Sequence, residues 1–440
     1  MSRARAAVWR SLIVVFGLLL LTAGTIVAAV LVPPHVQELF IRGVAVAMLL
    51  FLIIVFIRYF VLLWFAYLGH AERNVLGAPK HQERPGISVL IPSYNEGPLI
   101  DRAIMSVLDL DYPEFELVVV DDGSTDDTLE RAVEWEGRHG HVDVTVVTQR
   151  NAGKAAALNS GIEVSRHPFI LCMDADSELE PQTLLRAIEH FSDASVGGVA
   201  GNVKVEKRDS FITRLQALEY IEGLNMPRRA QGFVSAVSIV PGPVGMFRRE
   251  ALEEIGGYET DTFAEDADLT IKMIAAGWRV VYEDDAIAWT QPPEKWMDLV
   301  QQRYRWTRGI LQTARKRKGL FLEPFPDFPL WLSVVQFGFE ALVWPAINIF
   351  AHAFFAIVLL LFGGGELIIY WVVLLTLLDV VAAILTLSME EESLSLVPMA
   401  VVYRYFYLLF LDVVKMFATF EELFGIDMEW SKVARAEQSQ

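Results

Sequence analysis

Cysteine is almost missing from this 440-residue chain: Cys172 is its only one. A lone thiol excludes an internal disulfide, and its place in the apolar run at residues 170–173 reads as a buried, reduced side chain suited to a cytosolic domain. Basic residues are scarce as well. Lys and Arg total 37 against 55 Asp and Glu, a formal charge of −18. Neutralising phosphates takes clustered base, so this balance argues against a nucleic-acid partner and is compatible with an acidic, salt-tolerant surface. No internal repeat or low-complexity tract breaks the chain.

What the chain has in excess is apolar length. At 53% hydrophobic residues it is too apolar for one ordinary soluble domain and long enough for such a domain plus membrane segments. Residues 12–32 form an uncharged run of spanning length, and residues 44–68 form a second, interrupted by Arg58. The short Pro33-Pro34 link makes the two a hairpin. A cleaved signal peptide competes for the first run, since Arg3, Arg5 and Arg10 resemble a charged leader, but the run is too long and a second span follows. These arginines, with Arg73, Lys80 and Arg84 after the second run, put both ends of the hairpin in the cytoplasm. Pro324, Pro326 and Pro329 mark a later boundary. Residues 330–344 read as interfacial, with Pro345 breaking them from the apolar stretch 346–362, and residues 367–387 and 396–417 complete the membrane region. An odd number of later spans would leave the tail outside, whereas residues 429–435 read as a cytoplasmic interfacial tail; both topologies stay open. The expected division is a hairpin at 1–70, a cytoplasmic domain at 71–325, and an interfacial helix with further spans at 326–440.

From Gly86 to about Tyr282 short apolar runs alternate with helical periodicity, the pattern of an α/β fold. Residues 87–91, 115–120, 142–148 and 169–173 read as strands. Residues 98–108, 126–138 and 154–164 read as helices, the last with Asn151 as its N-cap. Regular alternation predicts a mostly parallel sheet covered on both faces. A further helix is expected over residues 296–318, ending in Arg315-Lys316-Arg317-Lys318, a cluster suited to anionic headgroups.

Carboxylates sit where the expected strands end. Tyr94 and Glu96 follow the first strand and suit a planar base; Asp121-Asp122-Gly123-Ser124 follows the second, where Asp122 is able to accept from a uracil or ribose group or, equally, belongs to a capped turn. Asp174-Ala175-Asp176 places two carboxylates at i and i+2. Hard oxygen ligands in small number suit Mg²⁺ or Mn²⁺ carrying diphosphate oxygens, with a calcium loop or a solvated turn as the alternatives. Lys154, after Asn151-Ala152-Gly153, suits a phosphate or sugar hydroxyl at a helix start, or is a surface lysine. Glu265-Asp266 begins another helix, where capping alone would favour acids. Against capping stand Gln302, Arg305 and Trp306, which lie 36 to 40 positions beyond Asp266 with no spanning run between. A base, a cation and an aromatic platform are what sugar transfer from a nucleotide diphosphate requires. Arg58 and Arg404 lie in apolar stretches and either line a channel or snorkel; Trp331, Trp344, Trp371 and Trp430 either stack on sugar or form interfacial belts.

The combination of Asp122, Asp174, Asp176, Asp266 and Gln302-Arg303-Tyr304-Arg305-Trp306 resembles the membrane-embedded, processive family 2 glycosyltransferases, which include cellulose, hyaluronan, chitin and poly-β-1,6-N-acetylglucosamine synthases. It covers nearly everything from the hairpin to the last span. Gln149 to Asn159 is similar to the Gly-Lys-Ala segment of the poly-N-acetylglucosamine synthases in particular. The resemblance implies a GT-A type nucleotide-sugar-binding domain inserted between transmembrane helices. It implies that Tyr94, Glu96 and Asp122 hold uridine, that Asp174 and Asp176 hold the metal and diphosphate, and that Asp266 is the general base with Glu265 beside it. Gln302, Arg305 and Trp306 would receive the acceptor end. Two departures stand out: Ala264 replaces the family's usual Thr, and Val240-Pro241-Gly242-Pro243-Val244-Gly245 differs from the forms of well-known members, which bears on sugar identity rather than catalysis.

The expected function is therefore inverting, processive transfer from a UDP-sugar, UDP-N-acetylglucosamine first, to a growing β-glycan that the spans conduct outward. The expected setting is a multi-pass plasma-membrane enzyme with its partners UDP-sugar, polysaccharide, lipid bilayer and a possible accessory or export subunit. Three alternatives stay open: a synthase of hyaluronan, chitin or cellulose type, a non-processive transferase acting on a membrane lipid, and a transporter or receptor with a nucleotide-binding regulatory domain.

Overall fold

The computed structural model describes residues 34–76, 84–319, 328–363 and 365–425. The chain divides into two compact units, Met1–Arg58 with Ile347–Leu378, and Tyr59–Ala346 with Asp379–Gln440.

The second unit carries a nine-stranded sheet. Its strands are β1 (Ile87–Ser93), β2 (Phe115–Asp121), β3 (Gly137–His139), β4 (Val142–Thr148), β5 (Phe169–Cys172), β6 (Ser177–Leu179), β7 (Val196–Val205), β8 (Gly245–Arg248) and β9 (Arg279–Thr290). They lie in the order β3-β4-β2-β1-β5-β8-β7-β9-β6. The block β4-β2-β1-β5 is parallel throughout, and β7 pairs parallel with β9. Only the short strands run against this direction: β8 between β5 and β7, and β3 and β6 at the two edges.

Continuous apolar strands become intelligible once both faces are seen to be covered. Ile87, Val89, Ile91, Leu117 and Val119 join one core with Ile100 and Ile104 of the helix Gly97–Leu108. Leu90, Val118 and Val120 point the other way and pack with Ala157 and Leu158 of the helix Lys154–Val164. Period two sorts the residues of each strand between the layers.

Two local expectations fail. The helix expected over 126–138 is only Thr128–Glu134, after which Gly137, at φ 116°, turns the chain so that Gly137–His139 pairs with β4. Asn151 is not the N-cap of the helix Lys154–Val164. Gly153 takes that position without a side-chain cap, and the Asp122 carboxylate accepts from the Ala152 and Gly153 N–H groups instead.

Four helices among the described residues are long and apolar enough to cross a membrane: Ile41–Ala71, Leu330–Leu361, Gly365–Met389 and Leu394–Leu423. The break expected at Pro345 is not there. Helix continues from Phe328–Gly338 through the π-helical turn Phe339–Val343 into Trp344–Phe362, the wider turn accommodating the hydrogen bond that proline cannot donate. The apolar run at 12–32, Pro33 and the tail at 429–435, with Trp430, lie outside the described residues.

Arg404 does not snorkel. It is 1% exposed, donates from Nε to Asp379 Oδ2 at 2.7 Å and from Nη2 to the Tyr59 hydroxyl at 3.1 Å. A paired charge removes most of the cost of sitting in an apolar helix. In the first unit, Trp371 is buried among Phe51 and Phe355, with ring centroids 5.4 and 5.1 Å away.

Candidate active site

Parallel strands deliver their C-terminal ends to one edge, and that edge collects the acids. The ends of β1 and β2 are joined by the Asp122 N–H donating to the Ser93 carbonyl at 2.8 Å. Beyond β1, the Asn95 N–H donates to Ser124 Oγ at 2.9 Å and the Glu96 N–H to Thr128 Oγ1 at 2.7 Å. This leaves Tyr94 half-buried and Glu96 buried at the mouth of β2.

Asp122 is 3% exposed, and both of its oxygens are engaged. Oδ1 accepts from Gln149 Nε2 at 2.7 Å and the Ala152 N–H at 2.9 Å; Oδ2 accepts from the Gly153 N–H at 2.8 Å. Three bonds to an ionised acceptor fix the loop that leads into Lys154. Of the two sequence expectations for Asp122, a nucleoside contact or a capped turn, these bonds fit a role in holding the chain's own loop.

Lys154 stands at the centre of the cluster. Its Nζ is 2.6 Å from Asp174 Oδ1 and 3.2 Å from Glu265 Oε1. Burial opposes the charge on Lys154, but Asp174, Glu265 and Asp266 together hold the ammonium well above its usual range. Burial raises the Asp174 carboxyl, with Asp176 and Glu265 adding to the rise and Lys154 opposing it. Asp266 lies in the first turn of the helix Glu265–Ala275, where its Oδ1 accepts from the Ala267 N–H at 2.8 Å. Burial first, then the Glu265 charge, pushes its carboxyl up to about 6, with Lys154 opposing. A carboxylate tuned close to neutral pH is suited to take a proton.

Gly242 forms one wall. A Cβ built there would lie 2.6 Å from Lys154 Nζ and 3.1 Å from Asp174 Oδ2, so the bare backbone allows the ion pair to sit against it. The small pocket at this point is lined by Lys154, Gly242, Tyr258, Glu265 and Asp266, with Cys172 beneath.

The donor set fits a divalent ion. Asp174, Glu265 and Asp266 act on the Lys154 ammonium and Asp176 acts on Asp174; burial first, with repulsion between the carboxylates, raises Asp174 and Asp266, so added positive charge would be favoured. Asp174 and Asp176 would hold it with carboxylate oxygens. Two tighter acidic groups exist elsewhere among the described residues. Both are already paired: Glu259 and Asp268 with Lys316 and Arg317, Glu283 with His190, and Asp284 with Arg229.

The helix Trp296–Lys316 docks on the turn before Asp266. A Cβ at Gly309 would lie 2.6 Å from both the Cβ and the N of Ala264, so glycine on one side and a small residue on the other let the two backbones approach. This accounts for Ala264. Gln302, Arg305 and Trp306 are all half-buried on this helix. Arg303 between them is buried, donating from Nη1 to Gln302 Oε1 at 2.6 Å with its guanidinium 4.0 Å from the centre of a Trp306 ring. Tyr220, whose ring centre is 5.9 Å from Arg303, ties this helix to the acidic edge: burial pushes its phenol up to about 12, Arg303 opposes, and Glu219 and Asp176 add. Half-buried Arg228, whose Nη1 donates to Asn225 Oδ1 at 3.2 Å, feels the charge of Asp266.

Of the residues expected at a site, Lys154, Asp174, Glu265 and Asp266 form one contact cluster, with Asp176 coupled to Asp174. Tyr94, Glu96 and Asp122 share their strand edge, and Gln302 and Trp306 meet through Arg303. Gly242 lay in the segment 240–245 singled out for sugar identity, and the structure sets it against Lys154 and Asp174. Gly309, Tyr220 and Arg228 were missed, being visible only through tertiary contact.

Residues 85–309 match the family described as glycosyltransferase like family 2. The chain is 32% identical over 241 residues to the poly-beta-1,6-N-acetyl-D-glucosamine synthase of Staphylococcus epidermidis, covering 54% of this chain and 58% of that one. It is 32% identical over 228 residues to the synthase of the same name from Staphylococcus aureus, covering 52% and 55%. The matched region thus spans little more than half the length of these curated relatives. Among solved structures, a mannosyltransferase from Pyrobaculum calidifontis, in complex with GDP-Man and Mn²⁺, superposes with a TM-score of 0.60 at 21% identity, over 88% of this chain and 99% of that one. That likeness is one of fold, a GT-A-like α/β domain with a mostly parallel mixed sheet. With the family match extending over half the chain, from the strand before Tyr94 to the helix that carries Trp306, this chain belongs to glycosyltransferase like family 2.

Proposed function

We propose that this enzyme transfers N-acetylglucosamine from a UDP-sugar to the non-reducing end of a growing β-linked polysaccharide, processively and with inversion. On this reading it works from the cytoplasmic side of the plasma membrane, its apolar helices conducting the product outward. The observation that carries the reading is the cluster of Lys154, Asp174 and Glu265 around Asp266, whose carboxyl is raised to about 6. The 32% identity to poly-N-acetylglucosamine synthases supports the choice of sugar.

The chemistry is one displacement. The Asp266 carboxylate takes the proton of the acceptor hydroxyl while the hydroxyl oxygen bonds to C1 of the donor sugar. The bond from C1 to the diphosphate oxygen breaks at the same time, its electron pair leaves on UDP, and C1 inverts. Glu265 makes Asp266 more basic by repulsion, and Lys154 keeps it ionised at neutral pH. Lys154 and Arg305 stabilise charge on the departing diphosphate. Tyr94, Glu96 and the loop held by Asp122 receive the uridine. Gln302 and Trp306 receive the acceptor, the indole stacking on an apolar sugar face. Asp174 and Asp176 would hold Mg²⁺ or Mn²⁺, which when bound neutralises diphosphate charge.

Membranes containing the enzyme, given labelled UDP-sugars and then linkage-specific glycanases, test the proposal. Long glycan from UDP-N-acetylglucosamine, sensitive to a β-1,6-specific enzyme, is expected. A single sugar on a lipid would give the activity to a non-processive transferase, and another labelled sugar would reassign the product.

A further inference from the structure

Arg303 lies between Gln302 and Arg305 and is buried, with every guanidinium nitrogen engaged. Its Nε donates to Glu219 Oε1 at 3.1 Å and its Nη2 to Glu219 Oε2 at 2.6 Å, a fork on both oxygens of one carboxylate. Nη1 donates to the Gln302 amide oxygen, which fixes that side chain's acceptor and leaves its NH₂ as the donor. The flat of the guanidinium lies on Trp306. Glu219 then accepts a third bond, from the Tyr407 hydroxyl at 2.5 Å. Tyr407 belongs to the apolar helix Leu394–Leu423, so one buried carboxylate joins that helix to the two acceptor-side residues.

The helices that supply these groups are deformed at this point. Glu219 directly precedes the π-helical turn Tyr220–Asn225, and Tyr407 lies inside another, Tyr403–Leu408. A π turn adds a residue and swings side chains off the ordinary helical face, a distortion that recurs at functional sites. Arg303 is moreover flanked by Tyr220, whose phenol feels the Asp176 charge. The clamp therefore lies between the acidic edge and the apolar helix.

We propose that Glu219, Arg303 and Tyr407 are positioning residues that hold the Gln302 amide and the Trp306 indole in the geometry that receives the glycan end, and that Tyr407 ties this geometry to the last apolar helix. The inference rests on the reading that Gln302 and Trp306 bind acceptor. A loosened clamp would leave the donor site intact and let the acceptor end slip, because none of the three residues belongs to the Lys154 cluster. Arg303→Lys keeps the charge but loses the fork and the flat stacking face. Tyr407→Phe removes one hydroxyl and keeps the ring.

The test uses the full-length enzyme in membranes with UDP-N-acetylglucosamine and short β-linked N-acetylglucosamine oligosaccharides as acceptors. Expected are an acceptor KM about 10-fold higher for Arg303→Lys and about 3-fold higher for Tyr407→Phe, shorter glycans in both, and unchanged KM for the UDP-sugar and unchanged rate of its transfer to water. Should Arg303→Lys fail to fold, Tyr407→Phe decides alone. Unchanged acceptor KM and glycan length, or a uniform fall in every parameter, would overturn the inference while wild-type elongation continues. Wild-type membranes that release UDP without lengthening any glycan would overturn the proposed function first, and this inference with it.

Discussion

Lys154 Nζ lies 2.6 Å from Asp174 Oδ1, and the same ammonium is one of the charges that set the proton affinity of Asp266. Lys154, at a helix start, thus links the Asp174 carboxylate to Asp266, the base of the proposed reaction.

The first prediction concerns pH. A base must be ionised to work, and the Asp266 carboxyl is raised to about 6. kcat/KM should therefore fall as pH drops through about 6, about tenfold per unit below it. Lys154 lowers the Asp266 value, so Lys154→Met should move this limb to higher pH besides cutting the rate about 100-fold. A pH profile of UDP release from both enzymes checks this; a limb that stays in place in the variant contradicts it.

Gly242→Ala should be a catalytic lesion with little effect on folding. The added Cβ would meet the mobile end of Lys154 and the Asp174 carboxylate, which yield by separating rather than by moving backbone. Activity about 10- to 100-fold lower with an unchanged melting temperature is the expected outcome.

Gly309→Ala should differ in kind. Here the new Cβ would meet the Ala264 backbone nitrogen and Cβ at 2.6 Å, atoms that cannot swing aside. A stability loss of about 1–3 kcal/mol is expected together with lower activity, since the helix carrying Trp306 must back away from the Asp266 turn. Thermal unfolding in detergent, run beside Gly242→Ala, separates the two.

The buried pair of Arg404 and Asp379 predicts an asymmetric double-mutant cycle. Asp379→Asn strands a guanidinium that is 1% exposed and should cost about 3–5 kcal/mol. Replacing both, as Asp379→Leu with Arg404→Met, should recover most of that loss, because the chief penalty is the uncompensated charge. Unfolding of the single and the double variant beside wild type in detergent measures the difference.

The legible parts of this fold were those that local pattern controls. The apolar runs of β1, β2, β4 and β5 and the helix Lys154–Val164 stand close to where periodicity puts them, because each strand is buried on both faces and each helix needs an apolar stripe. The short antiparallel strands β3, β6 and β8 were not legible: none is a continuous apolar run such as Phe169–Cys172, and pairing partners decide them. Acids after an apolar run singled out Asp174 and Asp176 in the sequence, and acids at a helix start singled out Asp266; the structure sets Asp174 and Asp266 around Lys154. The hold of Asp122 on the 149–153 loop was not legible, because it depends on a tertiary contact. Arg404 stayed open between channel lining and snorkelling for a related reason, since its partner Asp379 lies on another helix.

The most direct measurement compares wild-type enzyme with Asp266→Asn for binding of UDP-N-acetylglucosamine and for elongation of a glycan. Elongation should fall by at least about 10³-fold while the affinity for the UDP-sugar stays within a few-fold, since the lost group takes a proton and does not hold the nucleotide. Continued polymer synthesis by Asp266→Asn would contradict the account and remove this carboxylate from the reaction.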